Sequence, residues 1–312
     1  MSAVTKLNAI VVGGCGSLGR SYFKSITSKF PKATINITTI DYSPHSDIPE
    51  DVNFVKSTTD TGLEITHQHI TLDPSISKSL LATNHILPIL DKNYELTGPT
   101  NIVVNTGGSW GGSSFPKSIT EDGNGEDFGE YLEAFTPMMA SNFDSTVLAT
   151  AIASRYFPTV DTSITVEEGE EEKLTDPALL VLTGADGALH GRQGRTGMAG
   201  YVAAKGATNQ FCSIINDHLH KAIPVMIVHP TVIDTPNNRM YMPDSDFSTW
   251  NDGEKIANHV MDIYTKKVEG REKEVKNPKP DFQPSPKKAN VLDYCVVTVD
   301  GETKLNRLPR HF

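Results

Sequence analysis

The chain has 312 residues, of which 38% are hydrophobic and 21% charged, a globular balance rather than a disordered one. Its formal net charge of −10 opposes nucleic-acid phosphate and argues against nucleic-acid binding. No stretch approaches the ~20 consecutive apolar residues that span a bilayer, so no membrane association is expected. Cys15, Cys212 and Cys295 lie far apart. Sparse, odd cysteines argue against a disulfide framework and fit a reducing compartment, and the short mixed segment before Ala9 is no signal-peptide core. The expected location is cytoplasmic.

In chain order, Leu7 to Val12 is a short apolar run. It is followed by the glycine-rich stretch Gly13 to Gly19 and a predicted helix from Ser17 to Phe30. Ala33 to Ile40 alternates and is rich in Ile and Thr, which reads as a strand ending at Asp41; together these make a βαβ unit. A short third strand is predicted at Asn53 to Lys56, helix-like spacing at Ile76 to Leu90, and a buried strand at Asn101 to Asn105 leading into the glycine turn Gly107 to Gly112. Tyr131 to Tyr156 reads as one long helix, Leu179 to Thr183 as a strand, Ala199 to His220 as a helix and Pro224 to His229 as a strand. Asp300-Gly301 between Val291 to Val299 and Glu302 to Leu305 signals a hairpin. The repeated alternation predicts a single Rossmann-type domain over residues 1–312, an α/β doubly wound parallel sheet with helices on both faces. Thr159 to Asp176, with its Glu-rich run, and Lys266 to Lys288 read as exposed insertions, because like charges do not bury.

Gly14-Cys15-Gly16-Ser17-Leu18-Gly19 is a G-x-G-x-x-G directly after a strand and opening a helix. Gly14, Gly16 and Gly19 permit a tight turn and close backbone approach, and the helix start at Ser17 and Leu18 offers N–H donors to a pyrophosphate. Asp41, at the end of the next strand, is placed to accept hydrogen bonds from adenosine ribose hydroxyls and to repel a 2′-phosphate, which predicts NADH over NADPH. Tyr201 and Lys205 form Y-x-x-x-K, and four residues along a helix return to one face. A lysine ammonium favours the phenolate, so Tyr201 is the expected proton donor. His67-x-His69 and His218-x-His220 lack the further ligands that zinc needs and read as surface histidines, so no metal site is expected.

The glycine fingerprint, Asn105-Thr106-Gly107-Gly108, the Tyr201/Lys205 pair and Pro230 to Thr235 follow the order of the short-chain dehydrogenase/reductase family, which the chain resembles. The likeness is closer to its pteridine-reducing branch through Gly107-Gly108-Ser109-Trp110-Gly111-Gly112, through Gly197 to Ala207, and through the loop Asp234 to Trp250. That resemblance implies NADH-dependent reduction of a quinonoid dihydropterin. Lys205 would also hold the nicotinamide ribose, Gly107 and Gly108 would flank the cofactor, and Pro230, Ile233 and Thr235 would close over the nicotinamide. Where most of the family keeps a Ser, thirteen residues before Tyr201, this chain has Ala188; that suits a pterin, whose reduction needs less oxyanion help than a ketone. Trp110 reads either as a stacking surface for the pterin or as an anchor of its loop. Asn142 stands where the family keeps an Asn, which permits a water-mediated relay to Lys205. The loop Asp234 to Trp250 is expected to act as a substrate lid. A homodimer is implied on the two long helices, with Ala149, Ala151, Ala203 and Ala207 allowing close approach. Rival readings are a carbonyl or quinone reductase of the same family and a non-catalytic NAD(H) sensor.

Overall fold

The computed structural model describes residues 5–43, 54–58, 62, 64–73, 82–110, 127–158, 178–189, 198–218, 224–268, 291–299 and 302–307. In chain order the strands are β1 (Lys6–Val12), β2 (Thr34–Asp41), β3 (Phe54–Thr58), β4 (Glu64–Thr71), β5 (Ile102–Asn105), β6 (Leu179–Thr183), β7 (Val225–Pro230), β8 (Val291–Val299) and β9 (Glu302–Arg307). The helices are α1 (Ser17–Lys29), α2 (Leu87–Thr97, entered through a π-turn at Ala82–Ile86), α3 (Asp127–Asn142), α4 (Asp144–Tyr156), α5 (Asp186–Leu189), α6 (Ala199–His218), α7 (Pro236–Tyr241) and α8 (Gly253–Val268).

The strands form one sheet in the order β3-β4-β2-β1-β5-β6-β7-β8-β9. Its interior is parallel, and only β3 and β9 join antiparallel, one at each edge. This is the doubly wound sheet expected from the sequence. Burial explains why the strands read as nearly continuous apolar runs: β5, β6 and β7 are buried at every position, as sheets covered on both faces require. Successive side chains alternate between two cores. Leu7, Ala9, Val11, Ile102, Val104, Val181 and Val228 pack with Tyr22 and Ile26 of α1 and with Ile256, Val260, Met261 and Tyr264 of α8. Ile10, Val12, Val103, Leu180, Leu182 and Ile227 pack on the other face with Leu90, Ile152, Ala153 and Cys212. Strand order reverses at β1, which pairs with β2 on one side and β5 on the other, with Val12 level with both Ile40 and Asn105. The crevice above that reversal is where such sheets bind ligands.

The structure corrects several expectations. The helix predicted over Tyr131 to Tyr156 is two helices, α3 and α4, interrupted at Phe143. Side chains compete there for helical carbonyls: Asn142 Nδ2 donates to the Met138 carbonyl at 3.0 Å, and Thr146 Oγ1 donates to the Asn142 carbonyl at 3.3 Å. His67 is buried rather than on the surface, and Thr39 Oγ1 lies 2.9 Å from its Nε2 and 2.8 Å from Nδ1 of His69. Ala149 is fully buried against the sheet, so it is not available to a second subunit. Strand β4 and helix α8 were missed. The second was legible, since Ile256, Ala257, Val260, Met261 and Tyr264 recur at helical spacing and are all buried. The predicted insertion at 159–176, His220, Gly111, Gly112, most of the stretch 266–288 and the Asp300-Gly301 turn lie outside the described residues. Among the described residues, no helix is long and apolar enough to cross a membrane.

Candidate active site

Each glycine of the first turn has its own reason. Gly13 adopts φ +80°, a left-handed conformation in which L side chains are strained, and a Cβ there would meet Gly107 N at 2.5 Å. At Gly14 a Cβ would meet Thr39 of β2 at 2.6 Å, and at Gly19 it would meet the Gly13 carbonyl at 2.3 Å. Those two glycines let strand, turn and helix touch. Gly16 differs, because its nearest neighbour would be the Gly13 carbonyl at 3.4 Å; its backbone faces open space. No side chain caps the N-terminus of α1, and its first turn has no acidic residue, which suits a phosphate group. Asp41 closes this end, accepting from Cys15 N at 2.9 Å and from Ser43 N at 3.2 Å. Burial and the Asp41 charge push the Cys15 thiol up to about 11, which keeps it protonated and unreactive.

The second glycine turn is joined to the first. Thr106 Oγ1 donates to the Gly13 carbonyl at 2.9 Å, and Asn105 Oδ1 accepts from Gly107 N at 3.0 Å. Ser145 Oγ donates to the Gly107 carbonyl at 3.1 Å, and Asn142 Nδ2 donates to the Ser109 carbonyl at 2.8 Å. Asn142 is 1% exposed, and its Oδ1 has no hydrogen-bond partner among the described residues. A Cβ built on Gly108 would lie 2.5 Å from that oxygen and 3.4 Å from Lys205 Nζ. Gly108 therefore leaves room between an unsatisfied acceptor and a buried ammonium, where a water or hydroxyl that donates to the oxygen and accepts from Lys205 would bridge the two.

Tyr201 and Lys205 stand near the start of α6, one helical turn apart, with Lys205 Nζ 5.9 Å from the centre of the Tyr201 ring. Lys205 is 4% exposed, and its Nζ donates to the Thr183 carbonyl at the end of β6 at 2.8 Å. Burial lowers its pKa to about 8, because a low-dielectric surrounding disfavours the charged form.

After β7 the chain forms a closed-neck loop. Asp234 N donates to the Asn251 carbonyl at 2.8 Å and Asn251 N to the Val232 carbonyl at 2.7 Å. Thr235 caps α7 by accepting from Asn238 N at 3.1 Å, and the Ile233 carbonyl accepts from Asn238 Nδ2 at 2.7 Å.

These parts line one cavity of about 1480 Å³, larger than a drug-sized site. Gly16, Ser17, Leu18, Gly19 and Asp41 stand in its wall with Gly107, Gly108, Trp110, Asn142, Tyr201, Lys205, Pro230, Ile233 and Thr235. Two predicted residues are not brought there. Gly14 packs on Thr39 instead. Ala188 sits in α5 outside the cavity wall, because the chain turns into that short helix directly after Gly184 and Ala185. Trp110 is 46% exposed and so does not anchor its loop in the core. Tyr42, Ser145 and Tyr241 also line the cavity and were not singled out from sequence. Tyr42 could have been found, as it follows Asp41. Ser145 could not, because only the packing of α4 against β5 brings it near Gly107. Among the described residues, no group of three His, Cys, Asp or Glu could hold a metal ion.

The fold is similar to that of solved dehydrogenases and reductases. An alcohol dehydrogenase of Thermococcus sibiricus, solved with 5-hydroxy-NADP, superposes with a TM-score of 0.55 at 14% identity, covering 94% of this chain and 97% of its own. A short-chain dehydrogenase/reductase from Mycobacterium ulcerans superposes with a TM-score of 0.54 at 15% identity, over 83% of each chain. Among curated proteins, the chain is similar to dihydropteridine reductase of Dictyostelium discoideum, with 24% identity over 264 residues, 83% of this chain and 87% of that protein. No protein-family model matches the chain.

Proposed function

We propose that this protein is a nicotinamide-dinucleotide-dependent reductase of the short-chain type, and that it reduces quinonoid dihydropterin to tetrahydropterin with NADH. The observation that carries the reading is the single cavity that joins the glycine turn and Asp41 at one end to Tyr201, Lys205 and Trp110 at the other. The similarity to a dihydropteridine reductase over most of both chains supports the choice of substrate.

The residues suit the dinucleotide: Gly16 leaves the backbone open, the start of α1 is uncapped, and Asp41 is an acceptor at the ribose position. When bound, the cofactor supplies a hydride. Tyr201 delivers a proton to the ring nitrogen of the acceptor. Lys205 holds a charge beside the phenol and donates to ribose hydroxyls, and the Asn142 side-chain oxygen, at the gap that Gly108 leaves, anchors a water through which the proton returns from solvent to Lys205 and Tyr201. Pro230, Ile233 and Thr235 close the nicotinamide end. In this reading the chain is one reductase domain, works as a homodimer in a reducing cytosol, and prefers NADH because Asp41 repels a 2′-phosphate.

The test is NADH consumption with freshly generated quinonoid dihydropterin, run beside simple ketones and a quinone. Turnover of the pterin at least tenfold above the others is expected. A preference for ketones would instead make the protein a carbonyl reductase on the same scaffold, and no turnover of any acceptor would favour an NAD(H) sensor.

A further inference from the structure

The mouth of the cavity carries two aromatic rings whose exposure is unusual for their size. Trp110 is 46% and Tyr241 62% exposed, both line the cavity, and their ring centres lie 6.1 Å apart with planes inclined at 56°. They come from segments far apart in the chain, Trp110 from the turn after β5 and Tyr241 from the last residue of α7. Both backbones are braced. The carbonyl of Ser109, next to Trp110, is held by Asn142, and Ser109 Oγ donates to Ser141 Oγ at 2.8 Å. Helix α7 buries no residue of its own, so something other than a core must hold it. Arg239 does so: its Nε and NH2 donate to the two Asp234 oxygens at 2.6 and 2.7 Å, and its guanidinium lies 4.5 Å over the Phe247 ring. Phe247 packs edge-on against the buried Trp250 at 4.7 Å. These contacts brace the loop, which presents the exposed Tyr241 to the cavity.

We propose that Tyr241 and Trp110 form a two-sided clamp that selects a flat conjugated ring, and that Arg239 is a positioning residue that holds Tyr241 in place. The proposal rests on reading this cavity as a reductase site and assigns Tyr241, the ring in contact with Trp110, as a specificity-determining residue. A ring stacked between two others needs outer planes parallel and ~7 Å apart, twice the usual ~3.5 Å contact. At 6.1 Å and 56° the two rings lean together with no parallel slot between them, so a substrate ring is admitted when the exposed Tyr241 side chain turns. An aliphatic carbonyl has no face to offer either ring and gains nothing from the clamp.

The sequence contains 2 tryptophans, so Trp250→Phe, which keeps an aromatic edge against Phe247, leaves Trp110 as the sole indole. In that background, oxidised biopterin is expected to quench Trp110 fluorescence. Tyr241→Ala should weaken this binding roughly 3- to 10-fold, the worth of one stacked pair, while the NADH Kd stays within about twofold and Tyr241→Phe binds as the parent does. In the unmodified background, Tyr241→Ala should raise KM for the ring substrate by a similar factor with little change in kcat. Arg239→Gln should raise it less and add nothing to Tyr241→Ala in the double variant, because it acts through that residue. If menadione, a flat quinone, quenches in a Tyr241-dependent way and biopterin does not, the clamp stands and the pterin assignment falls. If neither ligand quenches, or if both bind equally well with and without the Tyr241 ring, the clamp is wrong, whatever the turnover assays give.

Discussion

Lys205 is the residue on which the proposed catalysis and stability pull apart. Its ammonium is buried, with the Thr183 carbonyl as its acceptor, and desolvation lowers its pKa from 10.5 to about 8. An unfolded chain titrates this lysine at the higher value. Between the two values it binds more protons than the native protein, so this group makes native stability rise with pH through that window. Below about 8 the full penalty applies. Lys205→Met should therefore raise the Tm of the ligand-free protein by about 2 °C or more, with the gap to wild type closing as pH rises toward 10.5, while NADH binding is weakened. A lower Tm at neutral pH would mean that the Thr183 hydrogen bond outweighs desolvation. The same pKa shapes activity. kcat/KM should fall as the pH passes about 8 and Lys205 loses the charge that supports Tyr201; a profile flat well beyond that point would remove Lys205 from the chemistry. Tyr201→Phe deletes only the donated proton, so kcat should drop by roughly 10²–10⁴ with NADH affinity retained. Asp41 belongs to the same scale. It already accepts from Cys15 and Ser43 backbone N–H groups, which hold its carboxylate where the proposed ribose would lie. Asp41→Ala should relax the expected preference for NADH, and equal kcat/KM for NADH and NADPH in the unmodified protein would refute it.

At the scale of elements, the glycine turn separates two jobs that one motif conceals. A methyl at Gly19 would sit 2.3 Å from the Gly13 carbonyl and 2.8 Å from Gly14 Cα, both backbone atoms that cannot yield without unseating α1. Gly19→Ala should cost about 1–3 kcal/mol of stability, as overpacking does, and weaken NADH binding as a consequence. A methyl at Gly16 meets only the Gly13 carbonyl at 3.4 Å, so Gly16→Ala should leave Tm nearly unchanged and yet weaken NADH binding at least tenfold, by blocking backbone approach. Calorimetry of both variants, with and without NADH, separates the effects; equal Tm losses would mean that Gly16 is structural too. Helices α1 and α8 show a second lesson. They pack as a pair over one face, joined by Ser25 Oγ to Asn258 Oδ1 at 2.8 Å and by the ion pairs Lys24–Glu254 and Lys29–Asp262. Exposed pairs of this kind add little, and the apolar stripe of α8 supplies the binding.

At the scale of the molecule, α3, α4 and α6 carry exposed apolar side chains. Leu132, Val147 and Ile214 are 47%, 39% and 44% exposed, and Phe143 packs edge-on to Phe211 at 5.6 Å, tying α6 to the junction of α3 and α4. With Ala149 turned inward, Ala151 and Ala203 are the exposed small residues there. We expect a second copy to cover this face. Light scattering at micromolar concentration should then give twice the chain mass of 34.0 kDa; the monomer mass would refute it, and Val147→Glu should shift a dimer toward monomer.

Most of the sheet and the glycine turn that opens α1 were readable in the sequence, because their signals are local. Period-two alternation assigns faces to Leu7 through Val12, and four-residue spacing puts Tyr201 and Lys205 on one side of a helix. The distance from the glycine turn to Asp41 is one βαβ unit, so the placement of that carboxylate beside the turn needs no tertiary knowledge. What the fold alone decided is which distant segments meet. Nothing in the spacing of Gly108, Asn142 and Lys205 says that an acceptor without a partner and a buried amine face one gap, and nothing ties Trp110 to Tyr241 across more than a hundred residues. Ala188, equally prominent by position, leaves the cavity because a four-residue helix follows β6. Local periodicity dictates the face on which a side chain lies, whereas convergence depends on how the strands are ordered and where each loop ends, and long-range packing writes that into no fixed interval of the chain.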